Sequence, residues 1–237
     1  MIKQDDRIGL NPPQDDTIIW RYMSMTKFLM LLDNQGLWFS RSDTFEDANE
    51  GMFPQKDIEG FVKRHRYETE KFVSSIEKDK KRAYISCWIQ EDHELFLMWK
   101  SYVKDLSDGV ALKTTIGKLI KALSIDTKYK VYCSNVEYID FNEDYCPCFS
   151  PEGNLNALNY YYIKDKCFKQ ENELRLLCHI SEISDEFGFY HPISVHELIE
   201  SVYLSPKANN SVKQFVSETL KSHNLNIPVC DSEIKLK

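Results

Sequence analysis

Apolar residues along the chain form short blocks that switch between a spacing of two and a spacing of three or four. Runs rich in β-branched and aromatic residues predict strands at 17–22, 37–40, 83–88 and 109–113. Apolar positions three or four apart predict helices at 27–35, 55–81, 91–103 and 116–123. Ser24 is a suitable N-cap for the first of these helices, and Gly36 is expected to end it.

The second half of the chain continues this irregular alternation. Strands are predicted at 130–134 and 136–141 (consecutive strands or a bulged hairpin), 171–180, 202–204 and near 228–230, and helices at 154–166 and 209–223. Because helices and strands do not alternate in a regular βαβ rhythm, the order predicts an α+β fold. We expect a polar arm over 1–16 and then a single domain over 17–237, with a split, mostly antiparallel sheet flanked by helices.

Composition excludes some classes of function. The 237 residues carry 37 acidic and 30 basic side chains, a formal net charge of −7. Binding to nucleic acid without sequence preference needs clustered Lys and Arg, so a general nucleic-acid coat protein is not expected. No GxGxxG or GxxxxGK[ST] segment occurs, which argues against a Rossmann dinucleotide turn and a P-loop. The 13 Phe, 13 Tyr and 4 Trp residues can build a hydrophobic core.

The sequence also bears on the compartment. No apolar stretch approaches the ~18 residues of a transmembrane helix, and residues 1–16 lack the apolar centre of a secretory signal. The 7 cysteines are odd in number and scattered, as expected for reduced thiols. We therefore expect a cytoplasmic protein with no membrane partner, and the oligomeric state is left open.

Two segments have the composition of a metal site without its spacing. Residues 43–50 place four carboxylates in eight positions, but an EF-hand needs oxygen ligands around a central glycine. Such a loop more often caps a helix. Cys146 and Cys148 form one Cys-x-Cys pair, to which Cys133 is a candidate third ligand. A flexible loop is the better interpretation there, and we expect no metal site.

Two predicted strands carry polar residues among apolar ones. Arg21 must find a partner if it is buried, because an unpaired guanidinium is costly in an apolar environment. Its guanidinium either pairs with a carboxylate such as Glu173 or binds a phosphate or ribose. Ser86 precedes Cys87 in the second strand, but no Gly-x-Ser-x-Gly elbow surrounds it. Ser86 and Cys87 are therefore expected to be positioning or core residues rather than nucleophiles.

The most informative segment is Phe168–Leu176. If it is one extended strand, Glu171, Glu173 and Arg175 are two residues apart and share a face. Two carboxylates this close suit the stabilisation of a sugar cation, where a fixed negative charge meets developing positive charge. The alternative is a salt-bridge ladder on an exposed strand face, in which Arg175 or Arg21 pairs with one of the two carboxylates. Both interpretations stay open from the sequence.

An ordered set of segments resembles a bacterial family known as domain of unknown function number twenty-nine seventy-one. The set begins with Trp-Arg-Tyr-Met-Ser at 20–24 and Gly-Leu-Trp-Phe-Ser-Arg at 36–41. It continues with Ile-Ser-Cys-Trp at 85–88, Phe-x-x-Glu-x-Glu-x-Arg at 168–175 and Val-Tyr-Leu-Ser-Pro at 202–206. The resemblance covers about 17–230, and some relatives are associated with abortive-infection phage resistance.

The order of three residues is also distantly similar to that of ADP-ribosyltransferases, namely Arg21, then Ser86, then Glu171-Asn-Glu173. This likeness implies a split-sheet fold and NAD as substrate. It implies that Arg21 contacts the NAD phosphate or ribose and that Ser86 braces the nicotinamide pocket. Glu173 would stabilise the oxocarbenium ion, and Glu171 would orient the acceptor.

The same likeness implies that Tyr22 or Trp99 stacks on the nicotinamide. Two departures stand against it: the usual Ser-Thr-Ser is Ser-Cys-Trp at 86–88, and Arg175 lies two residues after Glu173. Arg175 would neutralise the carboxylate if the two residues pair.

Three functions follow as hypotheses. The first is NAD-dependent ADP-ribosyl transfer or NAD cleavage in phage defence or a toxin system, with a protein or nucleic acid as acceptor. The second is a non-catalytic binding or sensor module of the same fold, in which Glu171, Glu173 and Arg175 are structural. The third is a metal-dependent nuclease that uses the acidic loop, which the negative charge of the chain makes less suitable.

Overall fold

The computed structural model describes residues 12–126, 128–147 and 157–236. These residues group into two compact units. The first unit contains residue 12 and the ranges 39–87, 128–147 and 157–189, and the second contains 13–38, 88–126 and 190–236. Each unit combines helices with mainly antiparallel strand pairs, which confirms the predicted α+β class with a mostly antiparallel sheet. The likeness to the ADP-ribosyltransferase fold stays a prediction, as does the single domain over 17–237.

The strands are β1 (Ile18–Ser24), β2 (Gly36–Arg41), β3 (Ala83–Gln90), β4 (Gly109–Thr115), β5 (Val131–Asn135), β6 (Glu137–Ile139), β7 (Ile163–Asp165), β8 (Glu173–His179), β9 (Gly188–Pro192), β10 (Ser201–Leu204) and β11 (Val229–Cys230). The α-helices are α1 (Met25–Asn34), α2 (Gln55–His65), α3 (Thr69–Lys80), α4 (Phe96–Tyr102), α5 (Ile116–Leu123), α6 (Val195–Leu198) and α7 (Asn210–Ser222). Three 3-10 helices cover Ser42–Thr44, Ala157–Tyr162 and Lys166–Glu171.

In the first unit, the helix predicted over 55–81 is two helices. Arg66 ends α2 in a left-handed conformation with φ of 50°, and its backbone N–H bonds to the carbonyl of Val62. The break turns the chain so that α3 packs back against α2. Phe61 and Phe72 stack with their ring centres 4.2 Å apart, and this contact favours the hairpin over one continuous amphipathic helix.

The segment after β5 also differs from its prediction. The hairpin alternative for 130–141 is wrong, because β5 pairs antiparallel with β8 and β6 pairs parallel with β7. The helix predicted over 154–166 is instead a 3-10 helix and then β7, where the described residues begin at 157. This arrangement places Lys164 on β7 and Arg175 on β8.

The long strand predicted over 171–180 is shorter at its start. Glu171 ends a 3-10 helix, and Asn172 follows it in a left-handed conformation with φ of 41°. Only Glu173 and Arg175 therefore share a strand face, so the prediction that Glu171 lies on that face is wrong. An asparagine tolerates this conformation better than most residues, which explains a break inside an apparently continuous strand pattern.

The second unit is organised around β1 and β4. The two strands pair antiparallel over their full length, from Ile18 opposite Thr115 to Ser24 opposite Gly109. On its other side β4 pairs antiparallel with β10, and β11 adds to β10 in parallel.

Two predictions in this unit need correction. Gln35, not Gly36, is the left-handed residue that ends α1, with φ of 43°. Gly36 begins β2, where a Cβ atom would lie 2.9 Å from the Cβ of Tyr190. The helix predicted over 91–103 is confined to Phe96–Tyr102, since Leu95 is its extended N-cap.

None of the helices within the described ranges is long and apolar enough to cross a membrane.

Candidate functional site

Glu173 and Arg175 form the centre of a buried cluster of charges in the first unit. They lie two apart on β8, so their side chains leave the same face of the strand. Arg175 Nε donates to Glu173 Oε1 at 2.7 Å, and both side chains are 1% exposed. The backbone N–H of Glu173 donates to the hydroxyl of Tyr138 at 2.8 Å. The carboxylate is thus fixed from its own strand and has almost no contact with solvent.

Glu50 completes the coordination of the guanidinium. Arg175 Nη1 and Nη2 donate to the two oxygens of Glu50 at 2.7 and 2.8 Å, which is a bidentate ion pair. Nη1 also donates to the backbone carbonyl of Tyr161 at 2.7 Å. Glu50 is 1% exposed in its side chain. Arg175 is therefore held between two buried carboxylates.

Lys164 links this cluster to its partly exposed end. Its ammonium donates to Glu171 at 2.6 Å and to Glu173 at 3.3 Å. Glu171 is 22% exposed in its side chain, whereas Lys164 is 11% exposed. Glu171 and Glu173 are thus brought together by a lysine on β7 and not by a common strand face. Phe168 lies beside the same ammonium, with its ring centre 4.5 Å from Nζ.

The pKa values in this cluster move in opposite directions. Burial raises the pKa of Glu173, but the charges of Arg175 and Lys164 outweigh it and lower the value to about 2. Burial dominates for Glu50 and raises its pKa in spite of Arg175. Burial lowers the pKa of Lys164, but Glu173 and Glu171 outweigh it and raise the value. Glu173 is therefore ionised, with its charge balanced by Arg175 and Lys164. For Glu50, the cost of burying the charge outweighs the attraction of Arg175.

A glycine conformation brings Glu50 to Arg175. Gly51 has φ of +67°, and an added Cβ would lie 2.5 Å from Cε1 of Tyr161. The chain can therefore pass close to Tyr161, whose carbonyl also binds Arg175. From the sequence, Glu50 was expected to lie in an acidic loop, and its pairing with Arg175 was not predicted. The available signal was the Glu-Gly pair, since a glycine after a carboxylate marks a turn that can aim the side chain inward.

Ser86 and Cys87 lie on β3, which pairs with β8. Ser86 is buried at 1% exposure. The Cys87 thiol hydrogen-bonds to the Glu173 carboxylate. Burial and the negative charge of Glu173 raise the pKa of Cys87 well above its ordinary value. The thiol is thus a donor to the cluster and not a thiolate nucleophile.

The other candidates belong to the second unit. Arg21 is half-buried on β1, where Nη2 donates to the carbonyl of Trp38 at 3.2 Å. Its guanidinium carbon lies 5.6 Å from the ring centre of Trp88, a stacking position.

Tyr22 and Trp99 are core residues of the second unit. Tyr22 is 4% exposed, Trp99 is 0% exposed, and their rings meet edge to face with centres 5.0 Å apart. The Tyr22 hydroxyl accepts from the backbone N–H of Leu95 at 2.9 Å. The Trp99 indole donates to Glu94 at 2.9 Å. Both polar groups are satisfied within the protein, and neither ring presents a face to solvent.

The acidic loop and the cysteines do not build a metal centre in the described chain. Within residues 12–126, 128–147 and 157–236, no three His, Cys, Asp or Glu side chains gather where they could hold a metal ion. Cys146 is buried, and Cys148 lies outside the described residues. The six described cysteines are all free thiols.

The cluster Glu50–Arg175–Glu173–Lys164–Glu171 has a limited chemical range. Five ionisable side chains contribute three carboxylates and two cations, and only Glu171 has substantial exposure. A carboxylate that stabilises a sugar cation must touch the sugar, but the Glu173 oxygens touch Arg175 and Lys164. As arranged here, the cluster can stabilise the fold and can offer Glu171 to a ligand.

Comparison with known proteins adds no identity. No family model matches the chain, and a search of curated proteins found no significant match. The resemblance described above therefore remains a prediction.

Proposed function

We propose that this chain is a non-catalytic binding or sensor module in which the cluster around Arg175 is structural. The observation that carries the proposal is the Glu173 carboxylate, which is 1% exposed and bonded to Arg175 and Lys164. A substrate that took the place of those two cations at Glu173 would leave Arg175 with one buried carboxylate partner, Glu50, instead of two, which costs free energy in a buried site. With both cations bound, Glu173 stabilises the core and is not free to act as a reactive carboxylate.

The remaining candidates support the same proposal. Ser86, Tyr22 and Trp99 are all buried, with 1%, 4% and 0% of their surface exposed. A nicotinamide that stacked on Tyr22 or Trp99 would first have to displace the core around them. In a binding module, these side chains have the ordinary role of holding strands and helices together.

ADP-ribosyl transfer or NAD cleavage is the second candidate function, and Glu171 favours it. This carboxylate is 22% exposed, and Lys164 holds it beside Glu173. In that case Glu171 would contact the ribose, and Glu173 would position it through Lys164. The setting in phage defence or a toxin system rests on the family resemblance alone.

Release of nicotinamide from NAD separates the two candidates. The wild-type chain, Glu171→Gln and Glu173→Gln are incubated with NAD, and free nicotinamide is measured by chromatography. The proposal expects no release above buffer in any of the three. Release by the wild type that falls at least tenfold in Glu171→Gln, with the variant still folded, would establish the NAD-using function instead. Lys166→Met, which removes an exposed ion pair with Asp140 in the same unit, is the matched control.

A further inference from the structure

The segment after β11 lies across the second unit and is held by one buried carboxylate. Glu94 is 6% exposed. It accepts from the Trp99 indole at 2.9 Å, from the Ser232 hydroxyl at 2.8 Å and from the backbone N–H of Glu233. One side chain thus joins the hydrophobic core to residues 232–233. We call residues 229–234 the strap.

The strap has the bonding pattern of a bound peptide. Its first two residues form β11, which pairs in parallel with β10, with Val202 opposite Val229 and Tyr203 opposite Cys230. Without this short strand, the outer edge of β10 would expose unpaired backbone groups. Addition of an extended segment to such an edge is a common mode of peptide recognition, in which backbone bonds give affinity and side-chain pockets give specificity.

Ile234 supplies the side-chain contact. It packs against the core cluster that contains Trp20, Tyr22 and Trp99. Its backbone N–H bonds to the Ser232 hydroxyl at 3.1 Å, which fixes the chain between the two residues. The strap therefore presents a hydroxyl and, two residues later, an aliphatic side chain, with the backbone N–H between them bonded to Glu94.

No residue of the strap is fully buried: Asp231 and Glu233 are exposed, and the other four are partly buried. Asp231 pairs with Lys213 at 2.6 Å, but the two side chains are 71% and 39% exposed, so water screens the pair. Exposed segments with few apolar contacts open locally at a small fraction of the global unfolding free energy. The edge of β10, the Glu94 carboxylate and the surface under Ile234 would become available together.

We propose that β10, Glu94 and the aromatic cluster form a binding site for an extended peptide, which the chain's own strap occupies. This inference deepens the proposed binding function by naming its ligand class: a protein segment with a Ser or Thr and, two residues later, an aliphatic side chain. The partner's segment replaces the strap bond for bond, and no covalent step is involved.

Competition from the strap determines how the site must be tested. A tethered segment acts at an effective concentration of roughly millimolar, so a free peptide at micromolar concentration cannot displace an intact strap. Ile234→Asp weakens the strap without touching Glu94 or β10. The probe is a fluorescent peptide of residues 227–236 in which serine replaces Cys230, and fluorescence anisotropy measures its binding to the full chain.

We expect the Ile234→Asp chain to bind the peptide at least tenfold more tightly than the wild-type chain does. Adding Glu94→Gln to that chain should weaken binding again, and so should Ile234→Asp within the peptide. Circular dichroism checks that each chain is folded. Ser232→Ala, which leaves every apolar contact in place, is the second chain variant if Ile234→Asp does not fold.

Two results would overturn the proposal. One is no peptide binding up to millimolar concentration by a folded chain with a weakened strap. The other is equal binding of the peptide that carries Ile234→Asp. Release of nicotinamide is measured separately, so a chain that bound the peptide and also cleaved NAD would refute the non-catalytic function and leave the peptide site standing.

Discussion

Arg175 and Glu50 form a bidentate ion pair with both side chains 1% exposed, although 125 residues separate them in sequence. The pair connects β8 to the loop before α2. Arg175 also donates to the Glu173 carboxylate and to the backbone carbonyl of Tyr161, so all three guanidinium nitrogens are hydrogen-bonded. This contact explains why an acidic loop with the composition of a metal site has a structural role.

Glu50→Ala should strongly destabilise the fold. The substitution removes both acceptor oxygens of a buried pair and leaves Arg175 Nη1 and Nη2 without those partners, which typically costs about 3–5 kcal/mol. Urea unfolding measures the free energy. Glu200→Ala is the matched control, because Glu200 pairs with Lys118 at 42% exposure and should lose less than about 1 kcal/mol. Equal losses in the two variants would contradict a special role for Glu50.

Gly51→Ala should also destabilise, for a backbone reason. A residue with a side chain is strained at φ of +67°, and its Cβ would lie 2.5 Å from Tyr161. We expect a loss of about 1–3 kcal/mol in thermal or urea unfolding. Gly60→Ala in α2 is the control, since nothing lies within 4 Å of its Cβ. That change should stabilise the helix by about 0.5–1 kcal/mol.

Stability should fall as the pH is lowered through the range in which Glu173 titrates. The carboxyl has an ordinary pKa of 4.5 and a folded pKa of about 2, so the unfolded state binds more protons between these values. The stabilising contribution is therefore present above pH 4.5 and is lost as the pH falls towards 2. The loss from this group should be roughly 3 kcal/mol.

Urea unfolding from pH 7 to pH 2.5 measures the effect. Glu50 contributes with the opposite sign, because its pKa is raised and its protonation favours the folded state. Glu173→Gln should show a shallower acid slope than the wild type. An identical slope in the two proteins would mean that Glu173 is not held by Arg175 and Lys164.

The cysteines should differ sharply in reactivity. Cys167 is exposed, whereas burial raises the pKa of Cys133 and of Cys178 to about 12 each. At pH 8 the two buried residues hold about one thiolate in ten thousand molecules. The hydrogen bond to Asp165 raises the pKa of Cys167, but this thiol is open to solvent. Iodoacetamide should therefore modify Cys167 before Cys133 and Cys178, which should react only after denaturation, as peptide mass spectrometry would show. Early labelling of Cys133 would contradict the burial of β5.

Local patterns predicted the elements that depend on local rules. The β1 and β4 strands follow from their β-branched and aromatic runs, and Ser24 caps α1 as expected, accepting from the backbone N–H of Lys27. The breaks at Arg66 and Asn172 could not be predicted in this way. Both residues adopt left-handed backbone conformations. Local sequence seldom indicates such a conformation at a residue other than glycine, and tertiary packing determines where it occurs.

In the charge cluster, too, the sequence predicted the contact within one strand and missed the contacts between elements. The spacing of Glu173 and Arg175 on a strand predicted one ion pair of the salt-bridge alternative. The exposed face expected for that ladder is wrong, because both side chains are 1% exposed. Glu50 and Lys164 were missed, because they reach Arg175 and Glu173 from other elements. No periodicity within a segment encodes such contacts, and only the Gly51 turn marks one of them in the sequence.

A thermal-shift titration with NAD tests the central claim most directly. A ligand that binds the folded state raises the melting temperature with the logarithm of its concentration over Kd, so even weak binding is visible at millimolar NAD. We expect no rise for the wild type, Arg21→Ala or Glu171→Gln up to about 5–10 mM NAD. A rise in the wild type that is lost in Arg21→Ala or Glu171→Gln would contradict it, and would make the chain an NAD-binding protein.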